Sequence, residues 1–224
     1  MTKIKTLTIQ FNTPLKRREL PLFRGAIIAA ISTGNILFHN HNEGSTLRYA
    51  YPLIQYKRIG GKAAIVCIEE GVEAIGELLA NQDLCVNIGK RKTELRIEHV
   101  EAEEVEIENS ETRIDYHLKD WLALNEINYA LFLETDDLVT RIKMLERILV
   151  GNILSFLKGI GVRIDYTLEP MIKAYKINNV THFKHIKLTS MDIDFSINIM
   201  LPKQMGIGKH SSIGAGILTR KKNK

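Results

Sequence analysis

Residues 49–68 read YAYPLIQYKRIGGKAAIVCI. Two apolar-rich runs flank the pair Gly60-Gly61, and a glycine pair supplies the positive φ that a two-residue hairpin turn demands. Tyr49–Ile59 and Ala63–Ile68 are therefore expected to be antiparallel strands. Working back toward the N-terminus, Leu7, Ile9 and Phe11 alternate with Thr6, Thr8 and Gln10, the period of a strand with one buried face. Pro21 then opens a stretch in which Phe23, Ile27, Ala30 and Ile31 recur at helical spacing, predicting a helix to about Ser32. Working forward, Val72, Ile75, Leu78 and Leu79 share one helical face ending at Asn81, and a strand is expected over Cys85–Lys90. The order is β-α-β-β-α-β, the ferredoxin-like split unit.

Eight glutamates lie between Glu94 and Glu111, with Leu95, Ile97, Val100, Val105 and Ile107 interleaved and the alternation shifting phase near His99 and Glu103. This predicts a bulged or turned β extension with solvated outer positions, joining the first unit to a second. Beyond it the pattern partly repeats. A strand is expected over Thr112–Leu118, then a short helical connection over Trp121–Tyr129. Thr135 or Asp136 is expected to cap a long helix in which Leu138, Ile142, Leu145, Leu149, Ile153 and Phe156 recur at three and four, stopping at Gly159. Strands follow at Met171–Ile177, at His185–Leu201, where Met191, Ile193, Phe195, Ile197 and Ile199 alternate with polar residues, and at Ile213–Thr219. The second helix of a full repeat is missing or reduced. The fold class is α+β: two tandem ferredoxin-like, RRM-like units over residues 1–111 and 112–224.

Composition agrees with folded units. Of 224 residues, 45% are hydrophobic and 25% charged, which excludes the low-hydrophobicity regime of disordered chains. The cysteines, Cys67 and Cys85, cannot build a disulfide framework or a CxxC zinc site, and no apolar run is long enough to span a bilayer. The N-terminus lacks the apolar core of a secretory signal, so a cytoplasmic protein with no membrane partner is expected. Charge is uneven. Residues 1–111 hold 14 Lys and Arg against 15 Asp and Glu, whereas residues 112–224 hold 17 against 11. A basic second half suits an anionic partner such as nucleic acid, or simply a solvated basic surface.

The segment Gly206-Ile-Gly-Lys-His-Ser-Ser-Ile-Gly-Ala-Gly216 carries four glycines in two Gly-apolar-Gly pairs about a basic centre. Glycines let backbone approach a ligand closely, and exposed N–H groups beside Lys209, His210, Ser211 and Ser212 suit phosphate. It is no nucleotide loop: a P-loop needs glycine where Lys203 stands, and the dinucleotide fingerprint needs one where Ser211 stands. A plain turn between the last two strands is the competing reading.

This segment, near the end of a two-unit ferredoxin-like pattern, closely resembles the glycine-rich signature of the CRISPR-associated endoribonucleases of the Cas-six type, in the RAMP superfamily. Trp121–Glu126, Leu145–Ser155, Tyr51–Lys57 and the histidines after the first helix are also similar to segments of that family. The resemblance implies a protein that binds CRISPR repeat RNA in precursor transcripts and cuts it, without metal or cofactor, by attack of the 2′-hydroxyl on the adjacent phosphate. It implies RNA contact by Gly206, Gly208, Lys209, His210, Ser211, Ser212, Gly214 and Gly216. A non-catalytic repeat-RNA-binding protein and a structural subunit of a CRISPR effector complex are alternatives, and a monomer or a homodimer is expected.

Such chemistry needs a base for the 2′-hydroxyl, an acid for the leaving oxygen and a cation near the phosphorane. His39 and His41 lie in the loop after the first helix, where this family often places its histidine. Residues i and i+2 of an extended segment share a face, so the pair could also ligate zinc, but no further Cys or His stands nearby to complete a site. The family frequently adds a tyrosine on the first helix; this chain has Ile27 and Ile28 there. Tyr49, Tyr51 and Lys57 are substitutes by proximity, and Tyr49 and Lys57 join the histidines as catalytic candidates.

Overall fold

The structure, a computed structural model, describes residues 2–31, 35–39, 51–80, 84–178, 181–183 and 186–221, with the backbone alone for His39, 181–183 and 186–188. The chain divides into two units: residues 2–106 with 212–214, and residues 107–211 with 215–224.

In the N-terminal unit the hairpin forms where the glycine pair requires it. Strands β2 (Ile54–Ile59) and β3 (Lys62–Ile68) pair antiparallel with Ile59 opposite Lys62, and Gly60 and Gly61 take φ of 56° and 87°. Strand β1 (Thr2–Pro14) lies on the far side of β3. Helix α1 (Leu20–Ala30), with Pro21 in its first turn, buries Phe23, Ala26 and Ile27 in a core with Ile9, Phe11, Ile65 and Cys67. Each such side chain contributes about 1.5–3 kcal/mol on full burial. Phe23 sits edge-on between Phe11 and Tyr56, at ring-centroid distances of 6.3 and 6.0 Å. A four-residue helical turn, α2 (Ile36–His39), sends Phe38 into the same core.

Three expectations for this unit are corrected. The second helix is two turns, α3 (Glu70–Ala74) and α4 (Gly76–Leu79), meeting at Ile75, which still accepts from Leu79 N–H at 3.2 Å. Strand β4 (Cys85–Ile88) does not complete the sheet. It folds back on β5 (Arg91–Glu94) as a separate hairpin turning at Gly89 and burying Val86 and Ile88. The fourth strand is β6 (Ile97–Ile107), from the stretch expected to be a mere extension, and the sheet order is β2-β3-β1-β6. Asn12 N–H donates to Arg96 O at 2.9 Å and Thr6 Oγ1 reaches Glu103 O at 3.4 Å, so β6 runs antiparallel to β1.

The C-terminal unit repeats the topology. Strands β7 (Asn109–Trp121), β8 (Met171–Ile177), β11 (Met191–Ile199) and β12 (Ile217–Arg220) form a sheet of order β12-β7-β11-β8. The alternation in β11 is reproduced: Met191, Ile193, Phe195, Ile197 and Ile199 are all buried. Helix α5 (Glu126–Glu134) precedes α6 (Leu138–Gly159), whose Leu145, Leu149, Ile153 and Phe156 stripe is fully buried. Asp137, and not Thr135 or Asp136, caps α6 by accepting from Val139 N–H and Thr140 N–H at 3.3 and 2.8 Å. The run from His185 is divided: β9 (Thr181–Phe183) and β10 (Ile186–Leu188) form a small hairpin before β11. Residues 200–216, between β11 and β12, contain no helix. The glycine segment stands where the first unit has α3 and α4.

Candidate nucleic-acid interface and catalytic turn

The two ends of the glycine segment zip together. Gly206 forms an antiparallel bridge with Ile217, Ile207 N–H donates to Gly216 O at 2.8 Å, and Leu218 N–H donates to Met205 O at 2.9 Å. Gly216 N–H then donates to Asp120 O at 3.0 Å. Four residues take positive φ: Gly208 (87°), His210 (55°), Gly214 (85°) and Gly216 (61°). Three glycines also lack space for a side chain within their own chain. A Cβ on Gly216 would stand 1.9 Å from Ile207 O; one on Gly208, 2.7 Å from Asn152 Oδ1 and 2.9 Å from Trp121 Nε1; one on Gly214, 2.6 Å from Leu20 Cδ1. Trp121 and Asn152 are themselves joined, Nε1–H to Oδ1, at 2.9 Å. Gly206, Ser211 and Gly216 are buried, Lys209 is exposed, and Gly208, His210 and Ser212–Ala215 are half-buried. The loop thus holds the Lys209 ammonium in solvent on a backbone fixed from below.

Ser212–Gly214 belong with the N-terminal unit. Ile213 makes a parallel bridge to Tyr56 of β2, and Tyr56 N–H donates to Ser212 O at 2.8 Å, so the loop adds a short fifth element to the free edge of that sheet. The Tyr56 side chain points the other way, into the core, and its hydroxyl stands 3.5 Å from Phe38 O, the residue before His39. Burial pushes the Tyr56 phenol above its ordinary range, with Arg24 partly offsetting, so it stays a neutral donor. The α2 turn is fixed from its other end too. Asn35 Oδ1 accepts from Leu37 N–H at 3.1 Å, and Asn35 Nδ2 donates to Glu77 Oε1 at 3.0 Å. One residue, Tyr56, supports both the glycine loop, through its backbone, and the histidine-bearing turn, through its hydroxyl.

Comparison with known proteins bears on this arrangement. Residues 2–106 match the Cas6b N-terminal domain and residues 108–221 the Cas6b C-terminal domain. The chain belongs to the Cas6b family. A crystal structure of Cas6b is 25% identical, with a TM-score of 0.89 over 98% of this chain and 100% of that one. A crystal structure of the CRISPR RNA processing endoribonuclease Cas6b, 24% identical over 98% and 100% of the two chains, superposes with a TM-score of 0.75 and shares the fold. The uncharacterized protein MJ0978 of Methanocaldococcus jannaschii is 36% identical over 115 residues, 50% of this chain and 75% of that protein.

In this Cas6b chain the sequence-predicted candidates fall into three groups. His41 and Tyr49 lie outside the described residues, and His39 is placed by its backbone alone, as the last residue of α2. The loop residues are brought together as described. Lys57 directly follows Tyr56 in β2, opposite Ala64 and on the face away from the Tyr56 side chain; it is fully buried, and burial lowers its ammonium to about 7. Sequence reasoning missed Tyr56, Leu20, Trp121 and Asn152 as supports of the loop. Tyr56 follows Gln55 in a run of four buried positions, so nothing in its pattern separates it from ordinary core. Among the described residues no helix is long and apolar enough to cross a membrane, and no three His, Cys, Asp or Glu side chains converge on a metal-sized site.

Proposed function

We propose that this Cas6b chain is a metal-independent endoribonuclease that binds CRISPR repeat RNA in precursor transcripts and cuts it in the cytoplasm to yield guide RNAs. The observation that carries the reading is the double support by Tyr56, which ties the glycine loop and the turn ending in His39 to one residue. The loop presents Lys209 and backbone to the RNA phosphates. The histidine turn supplies the proton transfers. At least one of His39 and His41 transfers a proton, as base for the 2′-hydroxyl or as acid for the leaving 5′-oxygen. Attack of the 2′-oxygen on the adjacent phosphorus breaks the bond to the 5′-oxygen and leaves a 2′,3′-cyclic phosphate. Tyr49 is a further candidate by its proximity in sequence. In this reading residues 1–111 carry the histidine loop and residues 112–224 the RNA-binding loop, and the chain works as a monomer or homodimer, alone or delivering its product to an effector complex.

The test is single-turnover cleavage of a cognate repeat RNA in EDTA. The expected product carries a cyclic phosphate, and a 2′-deoxy nucleotide at the scissile position blocks the reaction. General acid–base catalysis contributes about 10²- to 10⁴-fold, so replacing the operative histidine by alanine should lower the rate by that order and leave binding unchanged. Strict dependence on added Mg²⁺, or parental rates from both His39→Ala and His41→Ala, would overturn the mechanism.

A further inference from the structure

The N-terminal unit carries a second feature suited to RNA, on the opposite side of α1 from its core. The exposed face of α1 is made of Leu22, Gly25 and Ala29, which recur at three and four, and the β4–β5 hairpin runs alongside it. Between them lie two clefts of about 530 and 410 Å³ that share Leu22 and Gly89 and so form one trough. Its floor is apolar and small. Leu22 is 49% exposed, and no side chain stands over Gly25. One end is basic: Arg18, Lys90 and Arg91 line it against a single carboxylate, Glu19, which is 3.9 Å from Arg91. Among the described residues, Arg18 and Lys90 have no carboxylate partner.

Continuity with the glycine loop gives the trough its direction. Gly214 packs on Leu20, in the first turn of α1. The basic end of the trough begins at Leu22, on the first turn of that helix, and at Arg18 and Glu19, in the 3-10 turn that leads into it. A strand leaving the loop at Gly214 needs only to pass the N-terminal turn of α1 to enter it. Among the described residues no aromatic ring lines the trough, and they offer no platform for base stacking. What it offers is cations for phosphates and an apolar floor for ribose.

We propose that the trough between α1 and the β4–β5 hairpin is a second RNA site, holding an extended single strand of the precursor by its sugar–phosphate backbone, outside the segment that is cut. The proposal rests on the RNA-processing reading above and adds a sequence-independent grip on flanking RNA.

The test uses the full chain and two RNAs: the shortest repeat fragment the parent cleaves, and the same fragment with a single-stranded extension. The parent should bind the extended RNA more tightly. Arg18→Ala/Lys90→Ala should remove that advantage, at least 5-fold, and flatten the salt dependence for the extended RNA by about 1.4 in log–log slope, since each single-strand phosphate contact contributes about 0.7. Affinity for the short fragment and its saturated cleavage rate should stay parental. A second measurement needs no variant. Cys85 is exposed on the trough wall and Cys67 is buried, so alkylation by N-ethylmaleimide reports on Cys85, and the extended RNA should protect it where the short fragment does not. Equal affinity of parent and variant for the extended RNA, equal losses on both RNAs, or no protection of Cys85 overturns the second site while leaving cleavage intact. Failure of the parent to bind or cut either RNA overturns the function reading itself, and with it this site.

Discussion

Lys57→Met should stabilise the protein at neutral and acidic pH, although it removes the only charge on β2 that is fully buried. Burial takes the ammonium from 10.5 to about 7. At 1.36 kcal/mol per unit of pKa, that displacement of about 3.5 units corresponds to a penalty of about 5 kcal/mol for the charged amine in the folded state. The sign follows from proton counts. Below pH 7 the lysine is charged in both states and the folded state bears the whole penalty. Between pH 7 and 10.5 the folded protein holds the neutral amine while the unfolded chain is still protonated, so the unfolded state binds more protons and stability rises with pH. Above 10.5 both are neutral and the penalty is gone. Methionine keeps an unbranched stem of similar length and never titrates. Losing a polar contact of the amine offsets about 1–2 kcal/mol of the gain, leaving about 3 kcal/mol at pH 6.

Thermal unfolding of parent and Lys57→Met from pH 6 to pH 10 measures this. For chains of this size 1 kcal/mol moves Tm by about 2–4 °C, so the variant should melt on the order of 6 °C or more above the parent at pH 6. The gap should close as pH rises through 7 toward 10, because the parent gains what the variant never lost. A variant that melts at or below the parent at pH 6, or a gap that does not change with pH, would refute the argument. Single-turnover cleavage by the same variant decides the lysine's chemical role. A lysine with only a structural role predicts a rate within about two-fold of the parent, whereas a lysine serving the reaction predicts a loss of 10²-fold or more.

The three crowded glycines should differ by the kind of atom that meets the new Cβ. Gly216→Ala meets backbone and should be the most destabilising by thermal melt, Gly208→Ala breaks into the Trp121–Asn152 pair, and Gly214→Ala displaces only the end of Leu20 beyond its φ strain of about 1–2 kcal/mol; equal losses would refute the ranking. Lys209→Ala should weaken repeat-RNA binding and flatten its salt slope by about 0.7 without moving Tm, as measured by anisotropy titrations at several salt concentrations. Tyr56→Phe keeps the ring and the N–H bond to Ser212 but removes the hydroxyl beside Phe38, so RNA affinity should hold while the saturated cleavage rate falls by about 3- to 10-fold, a loss of order 1 kcal/mol. An equal fall in affinity would mean that the hydroxyl supports the loop and not the histidine turn.

The parts of the fold that were legible in the sequence are those fixed by local chemistry. Gly60-Gly61 dictated a turn because few other residues tolerate two consecutive positive φ angles, and the stripes of α6 and β11 declared their type and their buried face by period alone. The fourth strand of the first sheet was not legible. Cys85–Ile88 alternates as cleanly as a sheet strand, whereas β6 is an exposed edge whose glutamates need no burial, so the competition is decided by pairing with β1, which no local pattern encodes. The glycine loop shows the same limit more sharply. Its spacing marks four positions where backbone must come close to something, and spacing cannot say to what. In the structure the close neighbours of Gly208, Gly214 and Gly216 are Trp121, Asn152, Leu20 and Ile207, so the glycines are accounted for by the chain's own atoms. The loop residues open to a ligand are then Gly208–His210 and Ser212–Ala215, with Lys209 the sole charge among them. A loop built this way fixes where a phosphate is held and carries little means of reading a base, which leaves sequence recognition of the repeat to side chains outside it.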